Sequence, residues 1–293
     1  MTVQAQPTVA LIILTLNASS YVLPLFNSIA QQTQQPDHIL VIDSDSKDNT
    51  TQLLKAYSQV QIHSIPKNTF SHGGTRRLAT ELVNADIYIF MTQDALPATP
   101  TTFENIIQAL LSNPMIGCAY GKQLPHTEAN PLSKHLRLFN YPAQSQCKSI
   151  ADKNKYGIKT CFNSDSFSAY KKSALHAIDG FPQHATFGED VYVAAKMLLQ
   201  GWCIQYAANA PVFHSHNLTL KQEFQRYLAI GRFHRQEQWL IQTFATPTSE
   251  GLKFIFSEIC YLFKTHNLHW LPKACASWVA KFISYKFGRI FSL

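Results

Sequence analysis

Through the first half of the chain, short apolar runs rich in β-branched residues alternate with longer stretches in which apolar positions recur every three to four residues. Brief apolar runs bounded by turn residues read as strands, and a 3.6-residue period reads as amphipathic helix. This places strands at 9–14, 38–42, 60–64 and 86–91, with helices at 21–32, 48–58 and 74–84 between them. Regular alternation of that kind is the pattern of a parallel sheet with crossover helices. Ser46 and Asp48 mark the start of the 48–58 helix, because their side-chain oxygens can accept from the orphan amides of a first turn.

A further helix is predicted over 99–111, behind Pro97 and Pro100. From Met115 the pattern loosens, and Pro125, Pro131 and Pro142 among polar residues predict long ordered loops and short helices to about 158. Strands follow at 165–170 and 203–206, with a helix over 189–200 that Gly201 can end as a left-handed cap. Residues 218–240 read as helix, and 251–293 as two more, broken near Asn267 and Pro272. The expected plan is an α/β domain over 1–217 with a C-terminal helical segment over 218–293.

With 293 residues, 46% hydrophobic and 15% charged, the chain can bury a large core, which excludes a disordered tail and a disulfide-stapled mini-domain. Six cysteines without C-x-x-C spacing read as thiols in a reducing cytoplasm rather than a metal knuckle or redox pair. The N-terminal residues 1–8 are polar and do not read as a signal peptide, and no apolar run approaches the ~20 residues of a membrane span. A formal charge of +7 raises the question of nucleic acid, but basic residues are unclustered through most of the chain, so none is expected as a partner.

Split along the chain, the charge changes meaning. From Gly251 on, Lys253, Lys264, Lys273, Lys281, Lys286 and Arg289 face one acid, Glu258, which puts +5 of the total in this segment. Aromatic residues are interleaved with them, and Leu271, Cys275, Trp278, Phe282 and Tyr285 fall on one helical face with Lys273, Ser277 and Ser284 largely opposite. A basic, aromatic, amphipathic helix suits an anionic membrane surface. The alternatives are packing on the α/β domain or on a second subunit, that is, a homo-oligomer.

In an open α/β sheet, ligands bind beyond the carboxyl ends of the strands. Here those ends carry Thr15, Leu16 and Asn17, then Asp43 to Ser46, then Thr92, Gln93 and Asp94. Such a set suits a nucleotide; Asp43 and Asp48 can equally cap a turn and a helix. Asp94 offers a hard oxygen to Mg2+ or Mn2+ bridging two phosphates, or caps its loop.

The run His72, Gly73, Gly74, Thr75, Arg76, Arg77 opens a helix where glycines allow close backbone approach, and where the helix N-terminus and Arg76 attract phosphate. It lacks the spacing of an ATPase loop or a dinucleotide site, and the alternative is a turn with solvated arginines. Glu189 and Asp190 start a helix whose dipole favours their charged forms. A carboxyl with its pKa lowered in this way would serve as an ionised base if it faces a cleft, and otherwise is simple N-terminal charge. Either His214 or His216 can complete a metal site begun by Asp94, but alternation along a strand sends the two to opposite faces, so one ion should not take both.

Taken in order, VALIILTLNAS, ILVIDSDSKDNT, FSHGGTRRLA, YIFMTQDALP, YGKQLP, NYP, SDSFSAY, FGEDVYVAAKMLLQGW and VFHSHNLTLKQEFQRY resemble glycosyltransferase family 2, most closely its bacterial rhamnosyltransferase branch. The resemblance spans about residues 9 to 232 and implies the GT-A fold, a Rossmann-like, mostly parallel sheet flanked by helices. It implies Leu16, Asn17 and Asp43 around the base and ribose, Gln93 with them at the donor site, and Arg76 near the diphosphate. It further implies Asp94 as the last acid of the D-x-D motif and a Mg2+ or Mn2+ ligand, His214 as a second ligand, and Asp190 as general base of an inverting transfer.

Three positions depart from the common pattern: Thr92 stands for the first Asp of D-x-D, Ser44 for the second Asp of the D-D-x-S loop, and Arg77 for an Asn. The T-Q-D-A form and the His72-Gly73-Gly74 run match the deoxysugar-using branch. The implied donor is dTDP-rhamnose, with a UDP-hexose or a non-catalytic nucleotide-sugar-binding module as alternatives. The implied acceptor is a cell-surface glycan or lipid-diphosphate-linked oligosaccharide on the cytoplasmic face of the bacterial plasma membrane, received by loops within about 122–164.

Overall fold

The computed structural model describes residues 6–245 and 250–291. The first five residues of the polar N-terminal stretch, the 246–249 segment and the last two residues of the tail lie outside the described residues. Two compact units form: one from the chain up to Lys122 with Gln144–Ile150 and Cys161–Phe213, the other from Gln123–Ala143, Ala151–Thr160 and the chain from His214 onward.

The strands are β1 (Val9–Thr15), β2 (His38–Asp43), β3 (Val60–Ser64), β4 (Ile87–Thr92), β5 (Leu96–Pro97), β6 (Ile116–Leu124), β7 (Gln146–Lys148), β8 (Phe167–Lys171) and β9 (Cys203–Phe213). The helices up to the middle of the chain are α1 (Ser19–Ala30), α2 (Thr50–Leu54), α3 (His72–Leu82), α4 (Thr102–Leu111), α5 (Pro131–Asn140) and α6 (Lys153–Tyr156). Then come α7 (Lys172–His176), α8 (Glu189–Leu199), α9 (Leu220–Gln236), α10 (Gln238–Phe244), α11 (Glu250–Lys264) and α12 (Leu271–Ile290).

In the first unit one sheet runs β3-β2-β1-β4-β8-β6-β9-β5, with β7 beside β9. The β1 to β4 strands pair in parallel, as their alternation with helices predicts. The other half is antiparallel: β8 against β4 and β6, and β9 against β5 and β7. Leu11, Ile13, Val41, Ile89 and Met91 bury one face of the parallel half with Val22, Leu25, Phe26 and Ile29 of α1 and Phe103, Ile106 and Leu110 of α4. Each such side chain contributes ~1.5–3 kcal/mol by leaving water.

The loosened stretch after Met115 holds β6, α5, β7 and α6, of which β6 and α5 are the longest. Ile116–Leu124 is a strand with seven buried residues, although only its first residue is β-branched; its neighbours on the sheet, not its propensity, make it one. Pro131 starts α5 rather than breaking a helix, with the Asn130 side chain accepting from the Ser133 amide.

In the second unit, α9 and α12 lie against each other through small residues. A Cβ on Gly231 would sit 2.4 Å from the Tyr285 carbonyl oxygen, and one on Gly288 would sit 2.3 Å from that of Leu228. Ala274, Ser277, Ser284 and Gly288 form the buried stripe of α12. Ser277 and Ser284 point in, and Phe282, on the aromatic face read from the sequence, is 65% exposed. Close backbone packing favours small side chains at the contact, which leaves the large ones outside. Lys281 is not part of a solvated basic face either, since it pairs with Glu223 at 3.3 Å. Among the described residues no helix is long and apolar enough to cross a membrane.

Candidate active site

The carboxyl ends of β1, β2 and β4 are tied together by side chains from the residues the sequence singles out. Leu16 donates its amide to Gln93 Oε1 at 2.8 Å, and Gln93 Nε2 donates back to the Leu16 carbonyl at 3.2 Å. Gln93 thus extends the β1–β4 ladder by one side-chain rung beyond the last paired residues. Asn17 adopts a left-handed backbone, φ 49°, accepts from the Lys47 amide at 2.9 Å and donates its own amide to Ser46 Oγ at 2.8 Å.

Asp43 lies buried beneath this loop and accepts from Thr15 Oγ1 at 3.0 Å, Ser46 Oγ at 2.6 Å and the Ser46 amide at 2.9 Å. Asp48 caps in the same way, accepting from the Thr50 and Ser19 amides. The hydrogen bond from the Thr50 hydroxyl comes first among the contacts that hold the Asp48 carboxyl below its usual range. Both acids shape turns, while Leu16 and Asn17 above them remain exposed.

The N-terminus of α3 is closed to phosphate. The Gly73 amide donates to the Ala185 carbonyl at 2.9 Å, and the Gly74 amide donates to Ser71 Oγ, which itself donates to the Gln183 carbonyl. Gly73 is required because a Cβ there would lie 2.0 Å from the Pro182 carbonyl oxygen. The glycines therefore admit the 182–185 backbone, not a ligand, which corrects the anion-binding turn read from the sequence.

Arg76 is likewise not solvated. At 3% exposure it places Nε 3.0 Å from Asp165 and Nη1 2.8 Å from Glu189. Burial opposes its charge, but Glu189, Asp165 and Asp190 hold the guanidinium above its ordinary value. Arg76 Nη1 also donates toward His72 Nδ1 at 3.3 Å. Burial, with the arginine charge beside it, lowers that imidazole to about 4 and keeps it neutral.

Asp165 completes the cluster, accepting from Ser168 Oγ and Tyr170 Oη at 2.6 Å each. The Asp165 amide donates to Asp190 Oδ2 at 3.4 Å, and the Val191 amide donates to Asp190 Oδ1 at 2.8 Å. Asp190 keeps part of its surface accessible, unlike buried Glu189.

Removal from water, then the charges of Glu189 and Asp165, hold the Asp190 carboxyl well above the usual carboxylate range. The helix dipole favours the opposite direction; desolvation and two neighbouring acids outweigh one amide hydrogen bond, the Arg76 charge and the helix half-charge. A base with a raised pKa is a stronger proton acceptor for an alcohol than an ordinary aspartate.

β5 pairs with β9 so that Leu96 opposes Phe213. Asp94, His214 and His216 each offer one ligand atom, all within 4.8 Å of one another. The strand ends at Phe213, so the alternation that separates successive side chains no longer applies, and both histidines join the group. One carboxylate oxygen with imidazole nitrogens is a fitting donor set for a divalent ion.

Sequence reasoning weighed His214 and His216 as alternatives rather than together, and did not place Asp165 beside Asp190 or Glu189 against Arg76. The one available signal was the density of acids in SDSFSAY and FGEDVYV, which does not say which acid meets which base.

A half-parallel sheet with acids and imidazoles at its strand ends is the arrangement that the GT-A resemblance implies. The chain belongs to glycosyltransferase family 2, whose model, "Glycosyl transferase family 2", matches residues 10–179. It is 44% identical over 282 residues to the O-antigen chain rhamnosyltransferase RfbN of Salmonella typhimurium, covering 96% of this chain and 89% of that one. Identity is 40% over 265 residues to the O-antigen chain rhamnosyltransferase WbaN of Salmonella anatum, covering 90% and 83%.

Among solved structures, the mannosyltransferase PcManGT from Pyrobaculum calidifontis, in complex with GDP-Man and Mn2+, superposes with TM-score 0.68 at 15% identity over 98% of this chain and 88% of that one. Staphylococcus aureus TarS 1–349 in complex with UDP-GlcNAc gives 0.56 at 14% identity over 96% and 90%. At such identities these structures establish the fold alone.

Proposed function

We propose that this glycosyltransferase moves L-rhamnose from dTDP-rhamnose onto a growing O-antigen chain, with inversion at the anomeric carbon. The observation that carries this reading is the 44% identity to an O-antigen chain rhamnosyltransferase over 96% of the chain. Leu16 and Asn17 are exposed where β1 ends and take the base and ribose, while Asp43 and Gln93 hold their loop in shape from below.

Asp190 accepts the proton of the acceptor hydroxyl as its oxygen forms a bond to the anomeric carbon and the bond from that carbon to the diphosphate breaks. Glu189 and Asp165 raise the basicity of Asp190, and Arg76 allows the three acids to share one buried site. Asp94, His214 and His216 would hold a divalent ion, which when bound would supply positive charge to a departing diphosphate. Two imidazoles in the set favour Mn2+ over Mg2+, which prefers all-oxygen shells.

The exposed faces of α11 and α12 support attachment to an anionic membrane surface. Phe256 and Phe263 on α11 are 71% and 68% exposed, and Phe282 and Phe287 on α12 are exposed too, with Lys253, Lys264 and Lys286 on the same two helices.

A panel of nucleotide sugars with Mn2+, assayed for donor hydrolysis and for transfer to a lipid-linked O-antigen acceptor, tests the proposal. Turnover is expected with dTDP-rhamnose. Preference for a UDP-hexose would move the donor assignment, and absence of any turnover would leave a binding module.

A further inference from the structure

Gln123, the penultimate residue of strand β6, is 2% exposed, and Arg137 on α5 is buried beside it. Arg137 Nη1 donates to Gln123 Oε1 at 2.7 Å, and His214 Nδ1 lies 3.0 Å from the same oxygen. The His214 amide donates to the Leu124 carbonyl at 2.9 Å, which fixes this residue against the end of β6.

The donor and acceptor roles along this row can be deduced from one end. A guanidinium has donors only, so the Gln123 atom facing Arg137 is the carbonyl oxygen and not the amide nitrogen. That oxygen only accepts, so the His214 nitrogen facing it carries the proton. A neutral imidazole holds one proton, which leaves the lone pair on Nε2. Without such a partner an imidazole in water favours the opposite tautomer, with the proton on Nε2 and no lone pair there for an ion.

We propose that Gln123, oriented by Arg137, is a positioning residue that holds His214 as the Nδ1–H tautomer and so presents Nε2 to the divalent ion. The proposal rests on the reading of His214 as a metal ligand. Outer partners of this kind fix ring orientation and ligand basicity, and their loss typically weakens metal affinity roughly 10- to 100-fold.

The tautomer can be read directly on the full-length, metal-free protein by long-range proton–nitrogen NMR of the histidine rings, with the His214 signals assigned by their loss in His214→Ala. The expected wild-type pattern is a protonated Nδ1 and a pyridine-like Nε2; a protonated Nε2 would overturn the proposal without any variant at Gln123.

Gln123→Met removes the acceptor at similar volume and should move His214 toward Nε2–H while weakening Mn2+ binding roughly 10- to 100-fold by electron paramagnetic resonance titration. Gln123→Glu keeps an acceptor and should keep the tautomer. If His214→Ala weakens Mn2+ binding but Gln123→Met changes neither tautomer nor affinity, the role of Gln123 is refuted. If His214→Ala leaves Mn2+ affinity unchanged, the metal-ligand reading beneath the proposal is what fails.

Discussion

Arg76 and Glu189 form a 2.8 Å ion pair with both side chains almost wholly withdrawn from water. Asp165 meets the same guanidinium at 3.0 Å, and Asp190 follows Glu189 in sequence, so one cation serves a group of three acids. The surplus negative charge falls on the member that keeps a face open, Asp190. Its raised proton affinity is thus a property of the cluster rather than of its place on α8.

Removing the cation should be costly. Arg76→Met leaves buried Asp165 and Glu189 uncompensated and is expected to lower unfolding free energy by ~3–5 kcal/mol, read from urea denaturation. Arg76→Lys should recover only part of this, because one ammonium cannot reach two carboxylates with the spread of a guanidinium. A loss below ~1 kcal/mol, the range of surface pairs, would show that the cluster is not sealed from solvent.

Asp190 should cost stability at neutral pH. Its folded pKa lies above the unfolded value of ~4, so the folded state holds the proton more tightly. The contribution is fully present below pH ~4 and is lost as pH rises through the folded value. Asp190→Asn cannot ionise, so this variant should melt above the wild type at pH 8, with the gap closing toward pH ~4. Equal melting temperatures across that range would mean that the carboxyl is solvated.

Both histidines should matter to metal binding. Asp94→Ala and His216→Ala are each expected to weaken Mn2+ affinity by at least the roughly 10- to 100-fold that an outer-shell partner commands. Isothermal titration with Mn2+ provides the measurement. Unchanged affinity in His216→Ala would restore the one-histidine site that strand alternation suggested.

The outward aromatics of α11 and α12 should carry membrane attachment. Replacing Phe256, Phe263, Phe282 and Phe287 together by Ser should release the protein from vesicles containing anionic lipid in a flotation assay, with little change in melting temperature because these side chains bury little. Undiminished flotation would assign that surface to another partner.

Much of the fold is legible in local pattern. β1, β2 and β4 show as apolar runs because both faces of a central parallel strand are buried, and Asp94, His214 and Asp190 stand out by position at element ends. What escapes depends on neighbours distant in sequence. β6 lacks β-branched residues beyond Ile116 and is a strand because the sheet surrounds it. Arg76 looks solvated until Glu189, more than a hundred positions later, packs against it. The packing stripe of α12 escapes for a third reason: close helix packing selects Ser and Gly, which a hydrophobicity pattern does not mark as a contact face.

The role of Asp190 as base is tested most directly by turnover and donor binding in Asp190→Asn. Because that variant should be at least as stable as the wild type, a loss of turnover cannot be ascribed to unfolding. The expected result is rhamnosyl transfer reduced by roughly 10²- to 10⁴-fold, with the Kd for dTDP-rhamnose in the presence of Mn2+ unchanged. Transfer at the wild-type rate would contradict it and remove Asp190 from the reaction.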